Sequence, residues 1–74
     1  MVKIPVVSAI KVIKALAKAG YDVDHQTGSH MILRRREDPH RRLTVPNHKE
    51  IAKGTLRAII EEAGLTMEEF LALL

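Results

Sequence analysis

Between Ser8 and Gly20 the chain reads AIKVIKALAKAG, with Ile10, Ile13, Leu16 and Ala17 recurring at three- and four-residue spacing and Lys11, Lys14 and Lys18 forming a second row. That period is helical. It predicts a first helix, entered from Ser8 as N-cap and stopped at Gly20. The apolar row is the candidate core stripe, and the lysine row is either a solvated face or one that meets phosphates.

At Tyr21 the period shortens. Tyr21 and Val23 alternate with Asp22 and Asp24, which predicts a strand running to about Gln26. Thr27-Gly28-Ser29 is a turn. His30 to Arg35 forms a second strand, with His30, Ile32 and Arg34 on one face and Met31 and Leu33 on the other. Both faces carry apolar residues, so alternation leaves open which one looks inward. Beyond the polar Glu37-Asp38-Pro39-His40 connection, Arg42-Leu43-Thr44-Val45 alternates as a third strand that Pro46 ends. Two hairpins in succession make an antiparallel meander. Leu56, Ile59, Ile60 and Ala63 then mark the buried stripe of a second helix with Gly64 as its stop. Thr66 and Glu69 fit a capping box opening a short last helix, Met67 to about Leu73.

The order is helix, three-stranded antiparallel sheet, helix and short C-terminal helix, an α+β architecture in which two helices cover one sheet face and leave the other free. A length of 74 residues suits one compact domain, 1–74, and the chain shows no repeat, low-complexity segment or linker. The apolar start MVKIPVV, broken by Pro5 and followed by Lys11 and Lys14, makes a poor signal peptide. No stretch is long enough to span a membrane, so no membrane partner is expected.

Composition narrows the function classes. The absence of cysteine excludes disulfides and a thiolate zinc site, and suits a reducing cytoplasm. With one Phe, one Tyr and no Trp, aromatic platforms for stacking bases are not expected. Lysine and arginine outnumber the acids 12 to 9, for a net charge of +3. Glu61, Glu62, Glu68 and Glu69 gather in the C-terminal third, which leaves the first two-thirds strongly basic. Such a surface either meets phosphates or simply keeps the protein soluble.

The candidate chemistry lies in GSHMILRRR, which places His30 just after a Gly-Ser turn at the head of a strand. Cleaving RNA needs little equipment, because the 2′-hydroxyl lies beside its own phosphate and attacks it once a base takes its proton. Histidine titrates near neutrality and is suited to that step. Gly28 allows backbone to approach a phosphate, the Ser29 hydroxyl can bond an oxygen, and the strand holds the ring. Arg34, Arg35, Arg36, Arg41, Arg42, Lys49 and Lys53 surround the meander in sequence as cations for developing phosphate charge. Turn chemistry alone explains Gly-Ser-His equally well.

His48, after Val45-Pro46-Asn47, is a second candidate, as the acid that protonates a leaving oxygen, as a phosphate contact or as a solvated loop residue. His25 and His40 read as surface residues. No cysteine or carboxylate accompanies the histidines at metal-ligand spacing, so no metal and no cofactor are expected. Asp22 and Asp24 are read as ion-pairing partners of the nearby cations. Lys53-Gly54-Thr55, at the head of the second helix, offers either a phosphate cradle or plain capping by Thr55 or a residue before it.

Taken in order, VIKALAKAGY, GSHMIL and LTVPNHKEIAKGTLRAIIEEAGLTMEEF resemble the HicA (YcfA-like) family of toxins, small mRNA interferases of toxin–antitoxin pairs with a fold similar to the double-stranded RNA-binding domain. The resemblance spans nearly the whole chain and rests on Gly-Ser-His, Val-Pro-x-His, Lys-Gly-Thr-Leu and Ala-Gly-Leu-Thr in that order. It implies an endoribonuclease acting on mRNA without a metal, with His30 as the catalytic histidine. Gly28, Ser29, Arg34, His48 and Lys53 become the expected RNA-facing residues, and a HicB antitoxin the expected protein partner. Ile51, where leucine is common, and the arginine-rich segment from Arg34 to Arg42 depart mildly from the family pattern. Two other readings stand beside it: a non-catalytic RNA-binding module of the same fold, and an interaction module whose basic face docks an acidic protein.

Overall fold

A computed structural model describes residues 4–74, so the first three residues of the apolar start lie outside the described residues. Helix α1 (Ala9–Lys18) opens where the Ser8 hydroxyl accepts from the Lys11 N–H. It closes at Gly20, whose φ of +100° is a left-handed position that glycine adopts without steric cost. Strands β1 (Tyr21–Thr27), β2 (His30–Arg35) and β3 (Arg42–Pro46) form an antiparallel sheet in the order β1-β2-β3. Helices α2 (Lys53–Glu62) and α3 (Met67–Leu73) follow, the latter held by the full Thr66/Glu69 capping box. The α+β order read from the pattern is the order observed.

The sheet parity that alternation left open is settled by the core. Leu33, Leu43 and Val45 are buried with Val12, Leu16, Leu56, Ile60 and Phe70 in one hydrophobic cluster, so the Met31/Leu33 face meets the helices. His30, Ile32 and Arg34 therefore stand on the open face. Opposite them on β3, Pro46, Thr44 and Arg42 share that face.

Two details of the apolar pattern differ from expectation. The core stripe of α1 is Ala9, Val12, Ala15 and Leu16, while Ile10 is 61% exposed. The stripe is turned partway from the predicted one: Leu16 belongs to both, and Ile13 packs against its edge. In β1 the register shifts between Val23 and His25, so Asp24 is an extra residue, and Val23, paired with Leu33 on the edge strand, is 46% exposed. A bulge sets two consecutive residues opposite one partner. The Asp24 carboxylate and the His25 Nδ1 accordingly meet at 2.8 Å.

Several charged and polar side chains close the frame. The Arg36 guanidinium ion-pairs with Asp22 and donates to the Ala17 carbonyl at 2.9 Å, so it caps the end of α1. The buried Tyr21 hydroxyl donates to the Ala63 carbonyl at 3.2 Å, and Lys18 Nζ donates to the Leu73 carbonyl at 3.1 Å. The Ala63 and Leu73 carbonyls are helix-end acceptors that the helices leave open, while the Ala17 carbonyl already accepts the Gly20 N–H and takes the Arg36 bond as a second one.

Candidate functional site

Gly28 has a φ of +55°, the left-handed conformation that the two-residue reversal between β1 and β2 requires. Because the turn is tight, His30 enters the sheet directly, paired with Thr27 on β1 and Pro46 on β3. The Asn47 N–H donates to the Ser29 carbonyl at 2.6 Å, which ties the chain leaving β3 to the turn that carries His30.

His48 is fixed in the same manner. Its N–H donates to the Pro46 carbonyl at 2.9 Å, and its own carbonyl accepts from the Ala9 N–H at 3.0 Å, so the head of α1 anchors it. Three residues on, the Ile51 N–H donates to the Val7 carbonyl at 2.8 Å and buries the Ile51 side chain in the core. The segment between β3 and α2 is an irregular loop with a rigid course.

These constraints bring His30 and His48 to one cleft of about 400 Å³, lined also by Thr44, Pro46, Ala52 and Thr55. Both histidines are exposed, and neither ring, nor either threonine hydroxyl, has a hydrogen-bond partner among the described residues. The far wall is the start of α2. Its N-cap is Ala52, which makes no side-chain hydrogen bond, so capping by Thr55 does not occur. Thr55 is instead the third helical residue. The N–H groups of Lys53, Gly54 and Thr55 consequently have no helical acceptor, and no acidic residue stands in that first turn. The partial positive charge of the helix end is left uncompensated.

The other sequence candidates are distributed around this centre. Gly28 and Ser29 adjoin it through the turn. Lys53 lines a neighbouring depression with Val6, Glu50 and Ile51 that shares only Ala52 with the cleft. Arg34 lies on the same sheet face four residues along β2, about 13 Å away at strand rise, and lines a separate hollow with Asp22, Asp24 and His40. Arg36 is tied to Asp22 and Ala17 and faces no part of the cleft. His25 and His40 each contact a carboxylate, Asp24 at 2.8 Å and Asp38 at 2.9 Å. Among the described residues no three histidine, cysteine, aspartate or glutamate side chains gather in a metal-holding group. No described helix is long and apolar enough to cross a membrane.

Thr44, Ala52 and the helical position of Thr55 were not singled out as site residues. Thr44 was readable in principle, since alternation in β3 puts it on the face that Leu43 and Val45 leave. Ala52 was not, because nothing about an alanine marks it as an N-cap.

The family model described as HicA toxin of bacterial toxin-antitoxin matches residues 10–65, more than half of the chain. That span contains every residue lining the cleft. No curated protein matches the chain.

Proposed function

The chain belongs to the HicA toxin family of bacterial toxin–antitoxin pairs, and from that premise we propose that it is an endoribonuclease which cuts mRNA without a metal, using His30 as its catalytic residue. As a member it is the toxin of a pair whose other half is an antitoxin. We assign that partner to the HicB type, place the pair in the cytoplasm, and take residues 1–74 as one HicA-like unit of the double-stranded RNA-binding-domain kind.

One observation carries the reading: His30 and His48 share a cleft whose third side is an uncapped helix N-terminus. A phosphodiester in that space meets an imidazole at the sheet edge and backbone N–H donors at the helix end. His30 takes the proton of the ribose 2′-hydroxyl, and the freed oxygen attacks the adjacent phosphorus. As the bond to the 5′-oxygen breaks, that oxygen takes up a proton, and His48, the second imidazole of the cleft, is our candidate for its donor. The helix end stabilises the added negative charge of the five-coordinate phosphorus, and Lys53, in the adjoining depression, adds a positive field from outside the cleft. Acid–base assistance of this kind supplies about 10²–10⁴-fold in rate.

The test is cleavage of RNA by the purified protein and its His30→Ala variant, with and without EDTA. The expected result is a loss of about 10²–10⁴-fold on His30→Ala, an unchanged melting temperature, and no effect of EDTA. Equal cleavage by the variant removes His30 from the chemistry. Inhibition by EDTA overturns the metal-free route. RNA bound tightly but left intact by the wild type at every pH makes the chain a binding module of the same fold.

A further inference from the structure

The open sheet face carries a second cationic feature that the histidine cleft does not use. Arg34 on β2 stands directly across the ladder from Arg42 on β3. Like charges in opposed positions destabilise a sheet, so an isolated pair of this kind calls for a negative group close by. The nearest carboxylates are already engaged. Asp22, on the β1 side of Arg34, is held by Arg36, and Asp24 is held by His25. Neither Arg34 nor Arg42 forms an ion pair among the described residues. Their field is felt nonetheless: the Asp24 carboxyl is held below the usual range, first by its hydrogen bond with His25 and further by the charges of His25, Arg42 and Arg34.

With Asp22 and Asp24 beside the pair but each bonded elsewhere, its placement relative to the cleft says which further anion it suits. Along β2 and β3 the open face presents three rows: Arg34 with Arg42, Ile32 with Thr44, and His30 with Pro46. The helices pack on the other face, so these rows form an uncovered track from the arginines to the histidine. At about 13 Å between the outer rows, the arginines are too far from His30 to touch the phosphate being cut. They are suitably placed for another phosphate of the same strand. Two planar guanidinium groups carried at paired positions on adjacent strands can together match the oxygens of one phosphate group.

We propose that Arg34 and Arg42 together hold one non-scissile phosphate of the RNA whose scissile ribose lies at His30, so that the strand runs along β2 and β3 over Ile32 and Thr44. This subsite rests on the ribonuclease reading above, and it makes the enzyme prefer substrates that extend beyond the cut on that side.

The experiment measures binding of a 2′-O-methylated RNA oligonucleotide, which lacks the attacking hydroxyl and stays intact, as a function of salt. Arg34→Ala and Arg42→Ala are each expected to weaken binding about tenfold, and the double variant to lower the slope of log affinity against log salt by about 0.7, the value for one phosphate on a single strand, with each single variant losing no more than that. The double variant is expected to lose the same single contact and no more. Thermal unfolding of the variants, expected at or above wild type because a like-charge pair has been relieved, separates a lost contact from a lost fold. An unchanged slope in the double variant overturns the subsite, as does a double variant whose slope falls by twice that amount, since the arginines would then meet two different phosphates. Unmodified RNA is assayed in parallel. If it is cut and the slopes do not move, the subsite alone falls. If the slopes move as expected and it is not cut, the subsite stands and the ribonuclease reading falls.

Discussion

The two ends of the open sheet face differ in how far side chains hold them. At the end where β1 begins, side chains join the backbone bonds of Arg35, Arg36 and Arg41: Arg36 ties Asp22 to the Ala17 carbonyl, Tyr21 reaches the Ala63 carbonyl, and His40 sits between Asp38 and the Arg35 carbonyl. At the other end main-chain bonds do most of this work. Ser29, Pro46, His48 and Val7 offer carbonyls to the N–H groups of Asn47, His48, Ala9 and Ile51, and the rings of His30 and His48 are left with open hydrogen-bonding positions. A polar side chain that supports a fold is unavailable to a substrate. Fixing the histidines through main-chain bonds leaves their nitrogens available without loosening their positions.

The comparison breaks most visibly at His48. If this ring belongs to the cleft and not to the frame, His48→Gln lowers RNA cleavage by about 10²-fold while the unfolding free energy stays within about 0.5 kcal/mol of wild type, as for a surface substitution away from structural features. A variant that loses activity only in proportion to lost folded protein would move His48 to the structural side of the division. Paired measurements of initial rate and unfolding free energy on the same preparation decide it.

Arg36 supplies the opposite case, with a smaller effect. Its guanidinium is about half exposed, which discounts the ion pair with Asp22. The bond to the Ala17 carbonyl at the end of α1 remains. Arg36→Ala is expected to cost about 1 kcal/mol in urea unfolding with the rate of RNA cleavage per folded molecule unchanged. A drop in kcat with intact stability would show that this arginine faces the substrate after all.

The same division explains what could be read in the chain before its structure. Element order followed from local signals that agree with one another: Ser8 and Thr66 as caps, Gly20 as a stop, and the change of period at Tyr21. His30 was singled out because its turn and strand are contiguous. Sequence placed Arg36 among the cations of the meander because a guanidinium does not announce whether it will meet a carbonyl or a phosphate. The bulge at Asp24 was equally hidden, since one extra residue in an exposed strand leaves the polar pattern of DVDHQ looking regular. Ala52 became the wall of the cleft only through the Val7–Ile51 bridge, a pairing between segments far apart in the chain.

The smallest predicted effect lies at that bulge and concerns acid. The Asp24 carboxyl is held below its ordinary value of 3.8, with the His25 hydrogen bond as the largest cause and the charges of His25, Arg42 and Arg34 adding to it. A carboxyl whose folded-state pKa is depressed binds fewer protons when folded than when unfolded. Its contribution to stability is therefore fully present above the unfolded value and is lost as pH falls through the folded one. Between neutrality and pH 5 the group is ionised in both states and the contribution is flat. Below about pH 4 unfolding midpoints of the wild type should fall slightly more steeply than those of Asp24→Asn, which has no proton to take up. The group is solvent-exposed, so the difference is small and shrinks with added salt. Parallel slopes for the two proteins across that acid range would mean that the Asp24–His25 pair adds nothing to the fold, and that the bulge is held by the β1–β2 ladder alone.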